Sequence, residues 1–220
     1  MYSSRWRDLF SYAQLQTELM PAWPVRPYFT TRFAGDLRHV ESRGPTPAYL
    51  SESAVIVGLG LKAKPWHGVR AWVEAGYSAS YADQPDQERF RPDLRGGLAW
   101  SAIIGPGRGK RGLFSETSAD LVYLSRFDND ALAYVLNRGG YTVVRTERGG
   151  VQLCWNLNVT ADARRYSWAN VAETGPGVRI TLKPVVLTVD ALRGRYTSPD
   201  GSRPPRYSDL RIGLWYAFTR

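Results

Sequence analysis

Hydrophobic and polar residues alternate along most of the chain. Apolar residues occupy every second position from Leu210 to Phe218, with residues such as Arg211 and Gly213 between them. A period of two is typical of a β-strand, whose successive side chains point to opposite faces. The same alternation predicts strands at 51–62, 69–81, 93–104, 114–125, 151–160, 177–182 and 185–196, with weaker patterns at 13–20, 25–38 and 131–144. Because the connections are short and rich in Pro and Gly, the sequence predicts an all-β fold with antiparallel neighbours.

The polar faces of these strands differ from those of a soluble sheet. They are rich in Gly, Ser, Ala and Asn, with isolated Arg, Asp and Glu. The strands have about 10–13 residues, close to the roughly 9–11 that cross a bilayer. A membrane barrel turns its apolar face to lipid and its small, polar face to the lumen. We therefore predict an antiparallel up-and-down transmembrane β-barrel of about 10–12 strands, with a soluble lipocalin-like barrel as the alternative.

Aromatic residues near the strand ends support the membrane interpretation. Transmembrane barrels carry girdles of aromatic side chains at both membrane interfaces. The candidates for these girdles are Tyr81, Tyr123, Tyr134, Trp155, Tyr196 and Tyr216.

The chain divides into an N-terminal segment, 1–24, and a predicted barrel, 25–220. The pattern at 13–20 adds an eleventh strand to the ten counted from residue 25, whereas bacterial single-chain barrels have an even number. The segment is therefore interpreted either as one extra strand or as the end of an upstream region outside this sequence.

The last strand carries a polar–x–Gly–x–x–aromatic–x–aromatic pattern formed by Arg211, Gly213, Tyr216 and Phe218. This pattern resembles the C-terminal signal of bacterial outer-membrane β-barrel proteins. The resemblance implies a bacterial outer-membrane location, contact with outer-membrane lipid, and a barrel-assembly machinery that recognises Gly213, Tyr216 and Phe218. In that family the aromatic residue is usually final or nearly so, whereas two residues follow it here.

Several blocks are also similar to the C-terminal barrels of surface-polymer export or phage-adsorption proteins of the outer membrane. These blocks are YAQLQTEL, RPDLRGGLAWS, LSRFDNDALAYV and WANVAETGPGVR. In such proteins a periplasmic helical-repeat region precedes the barrel, and this sequence has no such region. The resemblance implies an anionic polysaccharide or periplasmic export components as candidate partners.

The net charge of +9 favours an anionic partner or surface, and we do not expect this partner to be nucleic acid. Counting back from the C-terminus places mostly short turns on the periplasmic side, as in bacterial barrels. These turns hold a predicted basic rim: Lys64, Arg108, Lys110, Arg111, Arg145, Arg148 and Lys183. The rim is interpreted either as a contact with lipid phosphates or as a funnel for an anionic polymer or solute.

Charged residues on the polar strand faces are predicted to line the lumen. They are Arg32, Arg70, Glu74, Asp93, Arg95, Glu116, Asp120, Arg179, Asp190 and Arg211. Their near-balanced charge indicates ion pairs across a narrow interior. These pairs either plug the lumen or select what passes through it.

Residues suited to catalysis are scarce. Of the two histidines, His39 and His67, only His39 has hydroxyls nearby in sequence, those of Ser42 and Ser51, with which to form a dyad. No metal-ligand spacing is present, and the basic stretch GPGRGKRG lacks the Lys-Ser/Thr pair of a phosphate-binding loop. We therefore predict a protein that is not an enzyme, with no catalytic residue, metal or cofactor.

These patterns favour a narrow conduit or export pore for an anionic polymer or solute, within a surface-polysaccharide export system. A closed structural or receptor barrel that binds a partner through its outer loops is the alternative. A lipid-modifying enzyme of the outer membrane is a second alternative.

Overall fold

Twelve β-strands form a closed barrel in which neighbouring strands are antiparallel. The computed structural model describes residues 1–37, 53–81, 89–105, 111–127, 129–166, 169–198 and 205–216. The strands are β1 (Tyr2–Ser3), β2 (Asp8–Glu18), β3 (Val25–Asp36), β4 (Ala54–Trp66), β5 (Val69–Ser80), β6 (Phe90–Ile104), β7 (Gly112–Leu124), β8 (Asp130–Arg145), β9 (Gly149–Asp162), β10 (Val171–Leu182), β11 (Val185–Tyr196) and β12 (Arg206–Tyr216). The predicted all-β, up-and-down barrel is confirmed. Within the described ranges, no helix is long and apolar enough to cross a membrane.

The apolar face of each long strand points outward. On β4, Leu59 exposes 62% of its surface, whereas Ile56, on the opposite face, exposes 2%. Leu157 and Leu214 are exposed in the same way on β9 and β12. Contiguous apolar surface of this extent marks contact with a membrane or a partner rather than with water. This inverted packing is that of a transmembrane barrel and replaces the lipocalin-like alternative.

The barrel closes through β1. Tyr2 pairs with Leu9 of β2 and with Ile212 of β12, so this short strand joins the first and last long strands. The predicted N-terminal segment thus supplies both β1 and β2, and β2 pairs with β3 from Phe10 to Glu18. With β1 the barrel has the even strand count of bacterial barrels.

The connections at one end of the barrel are mostly short. Residues 67–68, 146–148 and 183–184 join strands at the end where Tyr216 lies, and we call this the inner end. Longer connections, such as 37–53, leave the opposite, outer end. By the rule for bacterial barrels, we expect the inner end to face the periplasm.

Candidate functional site: the barrel lumen

The candidate site is the lumen, because charged side chains gather on the inward strand faces. The structure places all ten predicted lumen residues on these faces. Eight of the ten take part in the ion pairs described below; Arg70 and Asp120 instead line a cavity.

One ion-pair network links β3 to β5 across β4. The guanidinium of Arg32 donates to both carboxylate oxygens of Glu74, with 2.6 Å between Nη2 and Oε2. The Tyr28 hydroxyl donates to the same carboxylate at 3.1 Å. All three side chains are buried. The carboxylate therefore receives the donors that a buried charge requires.

A second network surrounds Asp93 on β6. Arg95, two residues along the same face, donates to its carboxylate, and Arg126 lies 3.6 Å from it. Arg126 belongs to the β7–β8 turn at the outer end, yet its side chain enters the lumen and is 2% exposed. There it also donates to the Ser78 hydroxyl at 3.2 Å. Burial lowers the pKa of Arg126 to about 10, so the guanidinium stays charged at neutral pH.

A third network is centred on Glu173 of β10. Its carboxylate accepts hydrogen bonds from Arg211 and from the Tyr207 hydroxyl, the latter at 2.7 Å. The guanidinium of Arg5, from the β1–β2 turn at the outer end, lies 3.6 Å away. Arg5 also donates to the Tyr196 hydroxyl at 2.7 Å. Its guanidinium lies over the rings of Tyr196 and Tyr207, at 4.8 and 3.8 Å from the ring centroids.

Two further ion pairs cross the lumen between β7 and β11. Arg179 donates to Glu116 at 2.8 Å. Arg138 lies 3.5 Å from Asp190 and donates to Asn156 at 2.7 Å. The predicted cross-lumen pairing is therefore present in the geometry, and it uses more residues than the sequence indicated.

Glycines on the lumen face make room for these side chains. A Cβ at Gly60 would lie 2.3 Å from the Tyr28 ring, and one at Gly194 would lie 2.1 Å from the Tyr207 ring. The tyrosines therefore lie flat across neighbouring strands, where their hydroxyls reach Glu74 and Glu173. The glycine-rich polar faces seen in the sequence thus let the interior fill with larger side chains.

Apolar side chains complete the filling at the outer end. Trp6, Phe10, Leu124, Leu192 and Tyr196 are all buried there. Together with Arg5 and Arg126 they fill much of the lumen near the outer end.

Two cavities lie in the lumen, and the larger one reaches from the inner end past the middle of the barrel, where Tyr12, Arg95 and Val122 line it. The larger, of about 790 Å³, is lined by Arg70 and Asp120 among others, and the smaller, of about 410 Å³, by Arg138 and Arg179 among others. Charged residues reach both cavities from the inner end. The lumen therefore contains a vestibule that opens toward the inner end.

The residues of the predicted basic rim lie in different places. Lys64 lines the larger cavity, and Arg145 and Lys183 line the smaller one. Arg148 lies in the turn between β8 and β9, and Arg111 is exposed just before β7. Arg108 and Lys110 lie outside the described residues.

The predicted assembly signal is partly visible. Gly213 faces the lumen, and Tyr216 points outward with 65% of its surface exposed. Phe218 lies outside the described residues. Recognition of this strand by an assembly machinery stays a prediction.

Several sequence assignments need correction. Arg126 and Glu173 fall outside the strands predicted at 114–125 and 177–182, in connections of the outer end, but their side chains lie inside the barrel. Glu173 differs because β10 already begins at Val171, and Arg126 because its side chain folds inward from a turn. Tyr134 and Tyr196 are not girdle residues, since both side chains occupy inward positions, whereas Tyr81, Tyr123, Trp155 and Tyr216 are exposed as expected.

Arg5 and Trp6 were not singled out from the sequence. Both lie between β1 and β2, where the short MYSSRWRD stretch shows no clear period. Two arginines flanking a tryptophan were the only available signal, and such a signal does not distinguish a lumen residue from a surface residue.

The residues considered for catalysis are not brought together within the described structure. His39, Ser42 and Ser51 lie outside the described residues, and His67 is an exposed turn residue. Within the described ranges, no three His, Cys, Asp or Glu side chains gather as a metal site requires. Cys154 is buried on the lumen face.

The fold and the charged lumen define the class as a transmembrane β-barrel of the outer-membrane type. Among solved structures, LpxR from Salmonella typhimurium is similar, with 10% sequence identity and a TM-score of 0.46 over 95% of this chain and 88% of LpxR. No protein-family model and no curated protein matches the chain. Likeness at this level concerns the fold alone.

The prediction that the protein is not an enzyme is contradicted by this comparison. The low identity transfers neither the reaction nor any catalytic residue to this chain.

Proposed function

We propose that this chain is a bacterial outer-membrane protein whose lumen is closed against free diffusion, and that it acts as a structural or receptor barrel. The observation that carries the proposal is the insertion of Arg5 and Arg126 from two outer turns into the lumen, where each meets a buried carboxylate. An arginine whose side chain forms an ion pair inside the barrel fixes the position of the turn to which it belongs. The exposed apolar band supports the membrane location.

In a closed barrel, the surfaces left for recognition are the outer loops and the inner vestibule. The outer loops are the longer connections, as is usual for barrels whose loops meet the cell exterior. The receptor function that we propose is the binding of a partner by these loops.

A narrow conduit for an anionic polymer or solute is the second candidate. The two cavities of the lumen favour it, because cations outnumber carboxylates in their linings. In this scheme, passage requires Arg5 and Arg126 to move out of the lumen. A role in surface-polysaccharide export, with periplasmic export components as partners, depends on this second candidate.

Solute release from liposomes tests the closed lumen against the conduit. Purified protein is reconstituted into liposomes that contain a small anionic dye or a small cationic dye. We expect neither dye to leave faster than from protein-free liposomes, because side chains fill much of the lumen near the outer end. Fast release of the anionic dye alone would contradict closure and favour the conduit.

The terminal strand provides a separate prediction about assembly. Tyr216→Ala and Phe218→Ala should each lower the amount of folded barrel in outer-membrane fractions severalfold, because the assembly machinery is expected to recognise these aromatic side chains. The measurement is the heat-modifiable band of unboiled samples. Leu210→Ala, an outward change on the same strand outside the pattern, is the control. Wild-type levels of both aromatic variants would remove the assembly role.

A further inference from the structure

We propose that the smaller cavity binds a phosphate-type oxyanion that enters from the periplasmic side. The cavity has a volume of about 410 Å³ and lies at the inner end among β8 to β12. This volume is within the range of small-ligand sites. The proposal concerns the inner vestibule alone and holds whether or not the outer half of the lumen is closed.

The cavity has an excess of positive charge. Arg138 and Arg179 line it, but both already pair with Asp190 and Glu116. Arg145 and Lys183 also line it, and neither has an ion-pair partner among the described residues. Two cationic side chains therefore remain available to an incoming anion.

Neutral donors complete the lining. Trp215 lines the cavity from β12 and is half exposed, with its indole Nε1 beside Gly213. Thr181 adds a hydroxyl from β10. Within the described residues, no carboxylate lines this cavity. A cavity with several donors and no competing acceptor charge is suited to a tetrahedral oxyanion, which accepts several hydrogen bonds at once.

The larger cavity is less suited to the same ligand. Glu18 lines it and pairs with Arg26 at 3.2 Å and with Lys62 at 2.9 Å, so its negative charge is shared by two of the cavity's cations. Asp120 adds a second carboxylate to the lining. An anion would meet more repulsion there, and for this reason we assign the site to the smaller cavity.

The experiment measures phosphate binding to the purified barrel in a non-ionic detergent by titration calorimetry. One arm uses inorganic phosphate, and the other uses short-chain phosphatidic acid, which carries the same group as a lipid headgroup. The variants are Arg145→Gln, Lys183→Gln and the double variant. Arg148→Gln is the matched control, because it removes a positive charge from the same rim but outside the cavity.

We expect binding in at least one arm, weakened about tenfold by each cavity variant, because a hydrogen bond to a charged group contributes at least that factor. Arg148→Gln should leave the affinity unchanged. Tighter binding of the lipid identifies a headgroup as the source, and equal or tighter binding of inorganic phosphate identifies a free anion. No binding in either arm, or equal weakening by Arg148→Gln, would overturn the proposal. Unboiled gel migration verifies that every variant is folded.

Discussion

Replacing Glu173 by alanine is expected to lower the stability of the barrel by about 3–5 kcal/mol, the cost of leaving buried charges without their partner. The Glu173 carboxylate is 3% exposed and is shared by Arg5, Arg211 and the Tyr207 hydroxyl. Without it, two guanidiniums remain inside the lumen with fewer acceptors. Denaturant unfolding of the purified protein in detergent measures the change.

Glu18→Ala is the matched control, because Glu18 also pairs with two cations, Arg26 and Lys62. These side chains are about one-third exposed, and exposed pairs typically contribute about 0–1 kcal/mol. Glu18→Ala should therefore change stability little. Equal effects of the two substitutions would show that the Glu173 network does not stabilise the barrel.

The strands and their inward faces could be predicted from the sequence, because period-two alternation determines both. The C-terminal pattern, read from Leu210 to Phe218, predicts the last strand, and the structure gives β12 as Arg206–Tyr216. The predicted cross-lumen pairing followed from the balance of charges on the polar faces. Arg32 and Glu74 meet in this way, although they are 42 positions apart.

The insertion of Arg5 and Arg126 into the lumen could not be predicted, because both residues lie where the alternation stops. Arg5 and Arg126 are turn residues, and a long side chain in a turn can point outward or inward with the same sequence pattern. The direction of each side chain depends on a carboxylate from a distant strand, that of Glu173 for Arg5 and that of Asp93 for Arg126. The sequence also did not predict that β10 begins as early as Val171, because Gly175 and Pro176 are residue types typical of loops.

Replacing Arg5 and Arg126 together by alanine is expected to open the outer half of the lumen. Both side chains enter the lumen from outer turns, so their removal leaves space there that water can fill. Glu173 and Asp93 would then lose their inserted partners. The resulting channel should prefer cations, because the uncovered charges are carboxylates. Arg195→Ala, which removes an exposed arginine from β11, is the control and should not open the barrel.

The current carried by the wild-type protein in a planar lipid bilayer tests closure of the lumen most directly. The filling near the outer end predicts no steady current from the wild type and none from Arg195→Ala. The Arg5→Ala/Arg126→Ala variant should give a stable, cation-preferring current under the same conditions. A stable open channel in the wild-type protein, of either ion preference, would contradict a lumen closed by these two arginines.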